Sequence, residues 1–300
     1  MISAAVLREC GRPPVLEQRP APVPADGSVL VDVVAAPITP LDLLCASGTS
    51  YFGAPATPYV PGVQGVGHLA DGTAVWFATS AGMRPGDGSM ASVVAVPEND
   101  VVVLPPGAPL VPVAALGLSA VAALGALHAA GSPEGKHVLV LGAGGTVGQA
   151  AIQLALLAGA RRVIAVARSA DARRHAESLG ATAVPIEDLD GPADLVIDPV
   201  FGAPAAAALR VLRPGGTLVN LGSSAGPTAP IDSATLRSGS LQILGYTNNA
   251  LSWRRRATMI TEVATHAAAG HLTVTHSPVP FSSVASAWTD TTPTRRVLTF

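Results

Sequence analysis

The chain has 300 residues, 49% of them hydrophobic and 13% charged, with a formal net charge of −2. That length carries two domains or one large one with ample apolar material for a core, and near-neutral charge leaves no electrostatic footprint for nucleic acid. Two cysteines exclude a disulfide framework and suit a reducing compartment, while a single lysine, Lys136, makes Schiff-base chemistry a poor expectation.

The opening "MISAAVLREC" lacks the basic-then-apolar pattern of a secretory leader, so a cytoplasmic location is expected. Over the first hundred residues the short runs "AAVL", "SVLVDVVAAP", "TAVWFAT", "MASVVAV" and "VVVL" are split by Pro and Gly clusters and read as strands. Cys45 falls in a helical or turn-like stretch with no basic neighbour in sequence and reads as a buried apolar thiol. In "GHLADGTAVWF" the connection between strands is cut to a tight turn at Asp71 and Gly72. From about residue 112 the texture changes. The stretch "VPVAALGLSAVAALGALHAAG" (111–131) could imitate a membrane span, but it stands alone and runs straight into a strand-and-loop motif. A buried helix is therefore predicted, with no membrane partner. The apolar runs "HVLVLG", "RVIAVA", "ADLVID", "GTLVNLG" and "LQILGY" then alternate with helical lengths, the mark of a parallel sheet buried on both faces. After "HAAAGHLTV" the chain returns to short β-like pieces and finishes with "RRVLTF". The seven histidines show no ligand spacing and read as surface or packing residues.

In "LGAGGTVG", Gly142, Gly145 and Gly148 fall three apart, between a strand and the helix "QAAIQLALLAGA". A tight strand-to-helix turn needs a residue without Cβ, a pyrophosphate needs close backbone approach, and the helix must pack near the sheet. The helix start, with Thr146 and Val147, then offers N–H groups and a positive dipole end to phosphate. In this context the string predicts dinucleotide binding; the competing reading is a glycine turn that only packs helix on sheet. Where NAD-preferring sites place Asp or Glu at the end of the second strand, this chain has Ala167, followed by Arg168 and Ser169, with Arg173 a turn on. Alanine cannot hold a ribose hydroxyl and a guanidinium can fork onto a 2′-phosphate, so NADP(H) is favoured over NAD; a merely solvated Arg168 is the alternative. Asp198 ends its strand, where a cap of the following turn is the first reading and a place near the ribose the alternative. The loop "LGSSAG", with Gly222, Ser223 and Ser224, lies at a strand carboxyl end, where the nicotinamide ribose is expected.

Nearly end to end, the chain resembles the medium-chain dehydrogenase/reductase superfamily, in its zinc-independent quinone oxidoreductase-like branch. The likeness is carried by "ITPLDLL…SGTSY", "PYVPGVQGVG", "AALGLSAVAAL", "VLVLGAGGTVGQAAIQLA", "ARRVIAVARS…ESLGA", "ADLVIDPVFG" and "LRPGGTLVNLGSSAG". It implies an α/β protein with a GroES-like β-barrel catalytic domain (1–112 and 275–300) and a doubly wound Rossmann NADP-binding domain (113–274). Ser119 matches a family threonine at the nicotinamide end, with a helix-packing serine as the alternative. Zinc alcohol dehydrogenases of the family have Cys and His where this chain has Thr39 and Val63, so no metal is expected. Quinone reductases usually carry Asn and Glu at the positions of Thr39 and Gln64.

The resemblance also implies roles. Tyr51 lies thirteen positions before Gln64, like the proposed proton-donor tyrosine of the family's 2-enoyl thioester reductases; a loop-bracing tyrosine is the alternative. Thr39 and Tyr51 are thus the catalytic candidates, and Tyr51, Gln64 and Tyr246 the substrate-pocket candidates, with Tyr246 otherwise covering a sheet edge. The expected activity is NADPH-dependent hydride transfer to a small-molecule conjugated carbonyl, a quinone or enone. An enoyl thioester reductase acting as a tailoring enzyme is the second reading, and an NADPH-binding structural or redox-responsive protein without efficient turnover the third. "LQILGY" reads as an apolar strand at an open sheet edge, from which a homodimer is expected.

Overall fold

The computed structural model describes residues 1–300, and the chain divides into two compact units. Met1–Gly117, Trp253–Gly270 and Thr275–Phe300 make the first; Leu118–Ser252 and His271–Val274 make the second.

In chain order the first unit begins with β1 (Ile2–Val6), β2 (Val15–Arg19), β3 (Ser28–Pro37), α1 (Pro40–Ala46), β4 (Gln64–His68), β5 (Ala74–Ala78), β6 (Val93–Pro97) and β7 (Val101–Val103). The ten-residue β3 is its organising strand. Ser28–Asp32 pairs with β6, Asp32–Ala35 pairs with β4 across a register shift, and its far end pairs with the C-terminal strand of the chain. A strand that changes neighbours along its length, with a bulge at the change, is how a sheet bends around its own core. That core is Val31, Val33, Val75, Phe77, Val94 and Val96 on one side and a cluster containing Met90, Phe281 and Leu298 on the other. The β4–β5 connection is the tight turn foreseen, with Gly72 at φ 83.

Helix α2 (Leu110–Ala130) is the one helix long and apolar enough to cross a membrane, and 67% of its most apolar window is buried inside the protein. It is not continuous: Gly117, at φ 32 and ψ −131, breaks it at the residue where the two units divide.

The second unit continues with β8 (His137–Val140), α3 (Thr146–Leu157), β9 (Arg162–Val166), α4 (Ala170–Ser178), β10 (Thr182–Val184), β11 (Ala193–Asp198), α5 (Gly202–Arg210), β12 (Leu212–Asn220), α6 (Ser233–Ser238) and β13 (Gln242–Gly245). Every pairing is parallel and the order is β10-β9-β8-β11-β12-β13. The strands are apolar because helices cover both faces. Chain order reverses between β8 and β11, so the carboxyl ends of these two strands open a crevice that no crossover fills. At the opposite ends, Asp194 accepts from the His137 N–H at 2.7 Å and from Arg213 at 2.7 and 2.8 Å, pinning the start of β8. β13 is the edge strand foreseen, with Ile243 exposed.

The chain then returns to the first unit through α7 (Trp253–Ala268), β14 (His276–Pro280), α8 (Val284–Thr289) and β15 (Arg295–Thr299), whose antiparallel pairing with β3 closes the sheet order β14-β15-β3-β4-β5-β7. Arg256 of α7 forms an ion pair with Asp100 beside β7.

The tolerance of strand glycines tests this packing. A Cβ on Gly67 in β4 would stand 2.1 Å from the Asp32 carbonyl oxygen, whereas one on Gly245 in β13 would meet nothing within 4 Å. Gly67→Ala should cost at least about 1–3 kcal/mol in denaturant unfolding, and Gly245→Ala should stay within about 0.5 kcal/mol of the parent. Equal effects would contradict the register of β3 and β4.

Candidate functional site

The glycine turn lies at the carboxyl end of β8, at the crevice. Each of its glycines has a different reason. Gly142 sits at φ 60, and a Cβ there would lie 2.6 Å from Val200 Cγ1. Gly148 lets α3 approach the turn, since a Cβ would lie 2.5 Å from the Gly142 carbonyl oxygen. Gly145 is different: it is exposed, has extended backbone, and a Cβ would meet only the Gly142 oxygen at an ordinary 3.4 Å. Nothing inside the protein requires glycine at 145.

Gly145 is also the N-cap of α3 and supplies no side-chain cap. The first N–H groups of the helix, at Thr146, Val147 and Gly148, have no intrahelical acceptor, as at any helix start. An uncapped helix start with a bare glycine before it fits a diphosphate, which those N–H groups and the positive dipole end would hold.

The other two crevice turns are as tightly built. Asp198 ends β11 with no exposure; its Oδ1 accepts from Val200 N–H at 3.0 Å and Phe201 N–H at 2.7 Å, and its Oδ2 from Asn220 Nδ2 at 3.2 Å. It is a turn cap, as expected, and holds Phe201 at φ 55, a conformation uncommon for a bulky residue. Burial pushes the Asp198 carboxyl above its ordinary value, against the N–H groups of Phe201 and Val200 and the Asn220 amide. After β12, Gly222 packs so closely that a Cβ would lie 2.5 Å from the Pro199 carbonyl oxygen. Ser223 and Ser224 follow on the exposed loop, which the Ala225 N–H ties to the Val200 carbonyl at 2.7 Å.

At the end of β9, Ala167 is buried and Arg168 is exposed. Ser169 caps α4, accepting from Ala172 N–H at 3.2 Å. Arg173, not Arg168, is the fixed guanidinium: its Nη1 donates to the carbonyls of Ala167 at 3.1 Å and Arg168 at 2.7 Å. Ser119 is half-buried in α2, two residues past the break. Tyr246 covers helix rather than sheet edge: it packs on Gly125 of α2, and its hydroxyl donates to Asn248, whose amide donates to the Leu118 carbonyl at 2.8 Å.

In the first unit, "TPLD" builds a capping box at the start of α1. Thr39 Oγ1 donates to Asp42 Oδ2 at 2.6 Å, the Thr39 N–H donates to the same oxygen at 2.8 Å, and Thr39 Oγ1 accepts from the Asp42 N–H at 3.2 Å. Asp42 is 2% exposed, and its Oδ1 accepts from the Val63 N–H at 2.9 Å. Burial pushes its carboxyl upward, against the Thr39 hydroxyl, the N–H groups of Thr39 and Val63, and the charge of Arg295. Arg295 is itself buried, donates to the Ile38 carbonyl at 2.9 Å, and is brought down to about 10 by burial, against Asp42. Asp42 has no place among the sequence candidates, although a Thr-x-x-Asp capping box is legible there.

The remaining candidates scatter. Gln64 is 1% exposed; its Oε1 accepts from Trp76 Nε1 at 3.2 Å and its side chain lies against Gly117, so it braces the helix break. Tyr51 is 77% exposed, leaning on Phe52 with ring centroids 4.2 Å apart, which is neither a buried brace nor a preformed pocket wall. Cys45 is buried in α1, as expected.

Residues 146–265 match the family model described as Zinc-binding dehydrogenase. Over 265 residues the chain is 29% identical to quinone oxidoreductase of Lama guanicoe, covering 79% of this chain and 78% of that one. Over 226 residues it is 30% identical to 2-methylene-furan-3-one reductase of Solanum lycopersicum, covering 67% of this chain and 56% of that one. The crystallised quinone oxidoreductase of Thermus thermophilus, also solved in complex with NADPH, superposes over 99% of this chain and 100% of its own with a TM-score of 0.81 at 27% identity. The chain belongs to the medium-chain dehydrogenase/reductase superfamily. Its two units are the GroES-like and Rossmann domains of that superfamily's α/β fold. Matches to curated relatives span from 20% to 78% of their own length.

The metal in the family model's name does not fit the residues present. Zinc needs three or four convergent His, Cys, Asp or Glu side chains. No three such side chains come together in this chain, Thr39 spends its hydroxyl on Asp42, and Val63 has no donor atom.

The elevated Asp198 carboxyl has a measurable sign. It binds its proton more tightly folded than unfolded, so its stabilising contribution is greatest below the ordinary value of 3.8 and is lost as pH rises through the folded value. Carboxyl-carbon NMR should place the Asp198 midpoint above 3.8, and Asp198→Asn should remove that component from the pH dependence of unfolding. A midpoint at or below 3.8 would mean that the donors of Phe201, Val200 and Asn220 outweigh burial.

Proposed function

We propose that the chain is an NADPH-dependent, zinc-independent oxidoreductase that reduces a conjugated carbonyl compound, a quinone or an enone. The observation that carries the dinucleotide is Gly145: an exposed glycine that packing does not require, heading an uncapped helix at the crevice of a doubly wound sheet. The 2′-phosphate rests on the end of β9, where Ala167 offers no acceptor for a ribose hydroxyl and Arg168 stands exposed beside the anchored Arg173. The substrate class is supported by the Lama guanicoe quinone oxidoreductase and the Solanum lycopersicum furanone reductase, and the cofactor by the Thermus thermophilus NADPH complex.

The nicotinamide supplies a hydride when bound. The protein's task is to hold the ring and substrate together and to satisfy the negative charge that grows on the carbonyl oxygen. Thr39 cannot meet that charge with its proton, which it donates to Asp42; its remaining lone pair accepts instead, which suits an N–H or O–H group of cofactor or substrate. Tyr51 keeps its phenol proton uncommitted on an exposed loop, so the proton-donor role falls to it.

Titration with both reduced nicotinamides should show NADPH the tighter ligand, and Arg168→Ala should narrow the gap; equal affinities in the parent would sink the NADPH assignment. NADPH oxidation should then respond to quinones or simple enones. Turnover confined to enoyl-CoA substrates would move the protein to thioester reduction, and tight binding without turnover on any of them would make it a non-catalytic NADPH binder.

Tyr51→Phe separates a proton donor from a loop residue. If the phenol acts only as charge develops, kcat for enones should fall on the order of 10²-fold with little change in KM or in NADPH affinity. Quinones, whose product oxygens take protons from water with less help, should lose much less. A variant equally active on both would remove Tyr51 from the mechanism.

A further inference from the structure

After Thr146, helix α3 is apolar except for Gln149 and Gln153, one turn apart and both buried. A buried amide is costly unless bonded, so each should have a specific task. Gln153 has one: it donates to the Thr273 carbonyl at 2.6 Å and accepts from the Thr273 N–H at 3.1 Å, stitching Thr273 to the second unit.

Gln149 does something else. Its Nε2 donates to the carbonyl of Gly144, inside the glycine turn, at 3.0 Å. Its Oε1 faces His175 Nε2 on α4 at 3.2 Å. An amide oxygen only accepts, so His175 carries its proton on Nε2 and donates. The same turn also touches α4 through Gly144, where a Cβ would lie 2.9 Å from Ala172 Cβ. Arg173, two residues before His175, holds the carbonyls at the end of β9.

We infer that Gln149 and His175 are positioning residues that set the diphosphate turn: Gln149 holds the Gly144 carbonyl against the helix, and His175 holds Gln149. A peptide carbonyl turned toward a diphosphate would repel it, whereas the N–H groups of the same turn attract it. Fixing the Gly144 carbonyl therefore decides which edge of the turn the anion meets. This rests on the reading of the second unit as a nicotinamide-dinucleotide site. Because both nicotinamide dinucleotides share the diphosphate, the clamp acts on both alike, unlike Arg168 and Arg173 at the 2′ position.

The test is direct binding, by quenching of protein fluorescence or by calorimetry, of NADPH and NADH to the full chain. Gln149→Glu keeps the volume but cannot donate to Gly144, and His175→Leu removes the second donor; two variants guard against one that fails to fold. Each should weaken both dinucleotides by the same factor, on the order of tenfold for Gln149→Glu and less for His175→Leu. His175→Gln, whose amide N–H can stand where Nε2 stands, should restore parental affinity. Unchanged affinities in folded variants would overturn the inference, as would weakening of NADPH alone, which would place the effect at the 2′-phosphate. A parent chain that binds neither dinucleotide would instead overturn the functional reading on which it rests.

Discussion

The structure of the second unit depends on how closely backbone approaches backbone at the carboxyl ends of β8, β11 and β12. Gly148 lies against the Gly142 carbonyl and Gly222 against the Pro199 carbonyl, each with room for hydrogen and none for a methyl group. Asp198 supplies the fixed acceptor among them, taking the N–H groups of Val200 and Phe201 and the Asn220 amide. With three βα turns pressed together this tightly, the crevice has a rigid floor, and only its rim is free to meet a ligand. Gly145, Ser223 and Ser224 are exposed on that rim, and packing does not require a glycine at 145. Rigid floor and open rim are what a site needs if a long, flexible, charged ligand is to be held in one pose.

The cost of that floor is polar burial. Asp198 is fully enclosed and its carboxyl is pushed upward, and Phe201 is held in a backbone conformation it would not choose. The two features support each other: the carboxylate that burial disfavours is the acceptor that makes the Phe201 turn possible. A protein that needed only to pack helix on sheet at this point would have no reason to keep either, which weighs against the glycine string as mere packing.

Much of this is legible in the sequence, and the failures have physical causes. The apolar runs "SVLVDVVAAP" and "ADLVID" read as strands because continuous burial writes itself as continuous hydrophobicity, and both form strands with those bounds. β2 and β10 are illegible because they are short and neither holds a fully buried residue, so neither period nor apolarity marks them. The glycine turn is legible in place but not in role: only coordinates separate Gly142 and Gly148, which packing demands, from Gly145, which it does not. Gln64 and Tyr51 show what a position in a motif leaves open. A position in a motif fixes where the backbone goes, but Gln64 turns inward to Trp76 and Gly117 while Tyr51 lies out in solvent. Asp42 escapes a sequence reading because a single carboxylate in a capping box looks like helix grammar, and its burial is a tertiary fact.

Asp42 also bears on the two positions where zinc-dependent relatives are expected to carry ligands. Those positions, 39 and 63, are joined here by one carboxylate: Oδ2 takes both donors of Thr39, and Oδ1 takes the N–H of Val63. A zinc ion would clip the same loop to the same strand through side chains and would also polarise a carbonyl oxygen. The Asp42 carboxyl does the first task but is an electron-pair donor, not a Lewis acid, so it does not do the second. It further removes the Thr39 proton from use. For the reduction proposed above, the charge growing on the carbonyl oxygen would have to be met by hydrogen-bond donors rather than at these two positions. A quinone or enone, the substrate class proposed above, would help by spreading that charge over its own π-system.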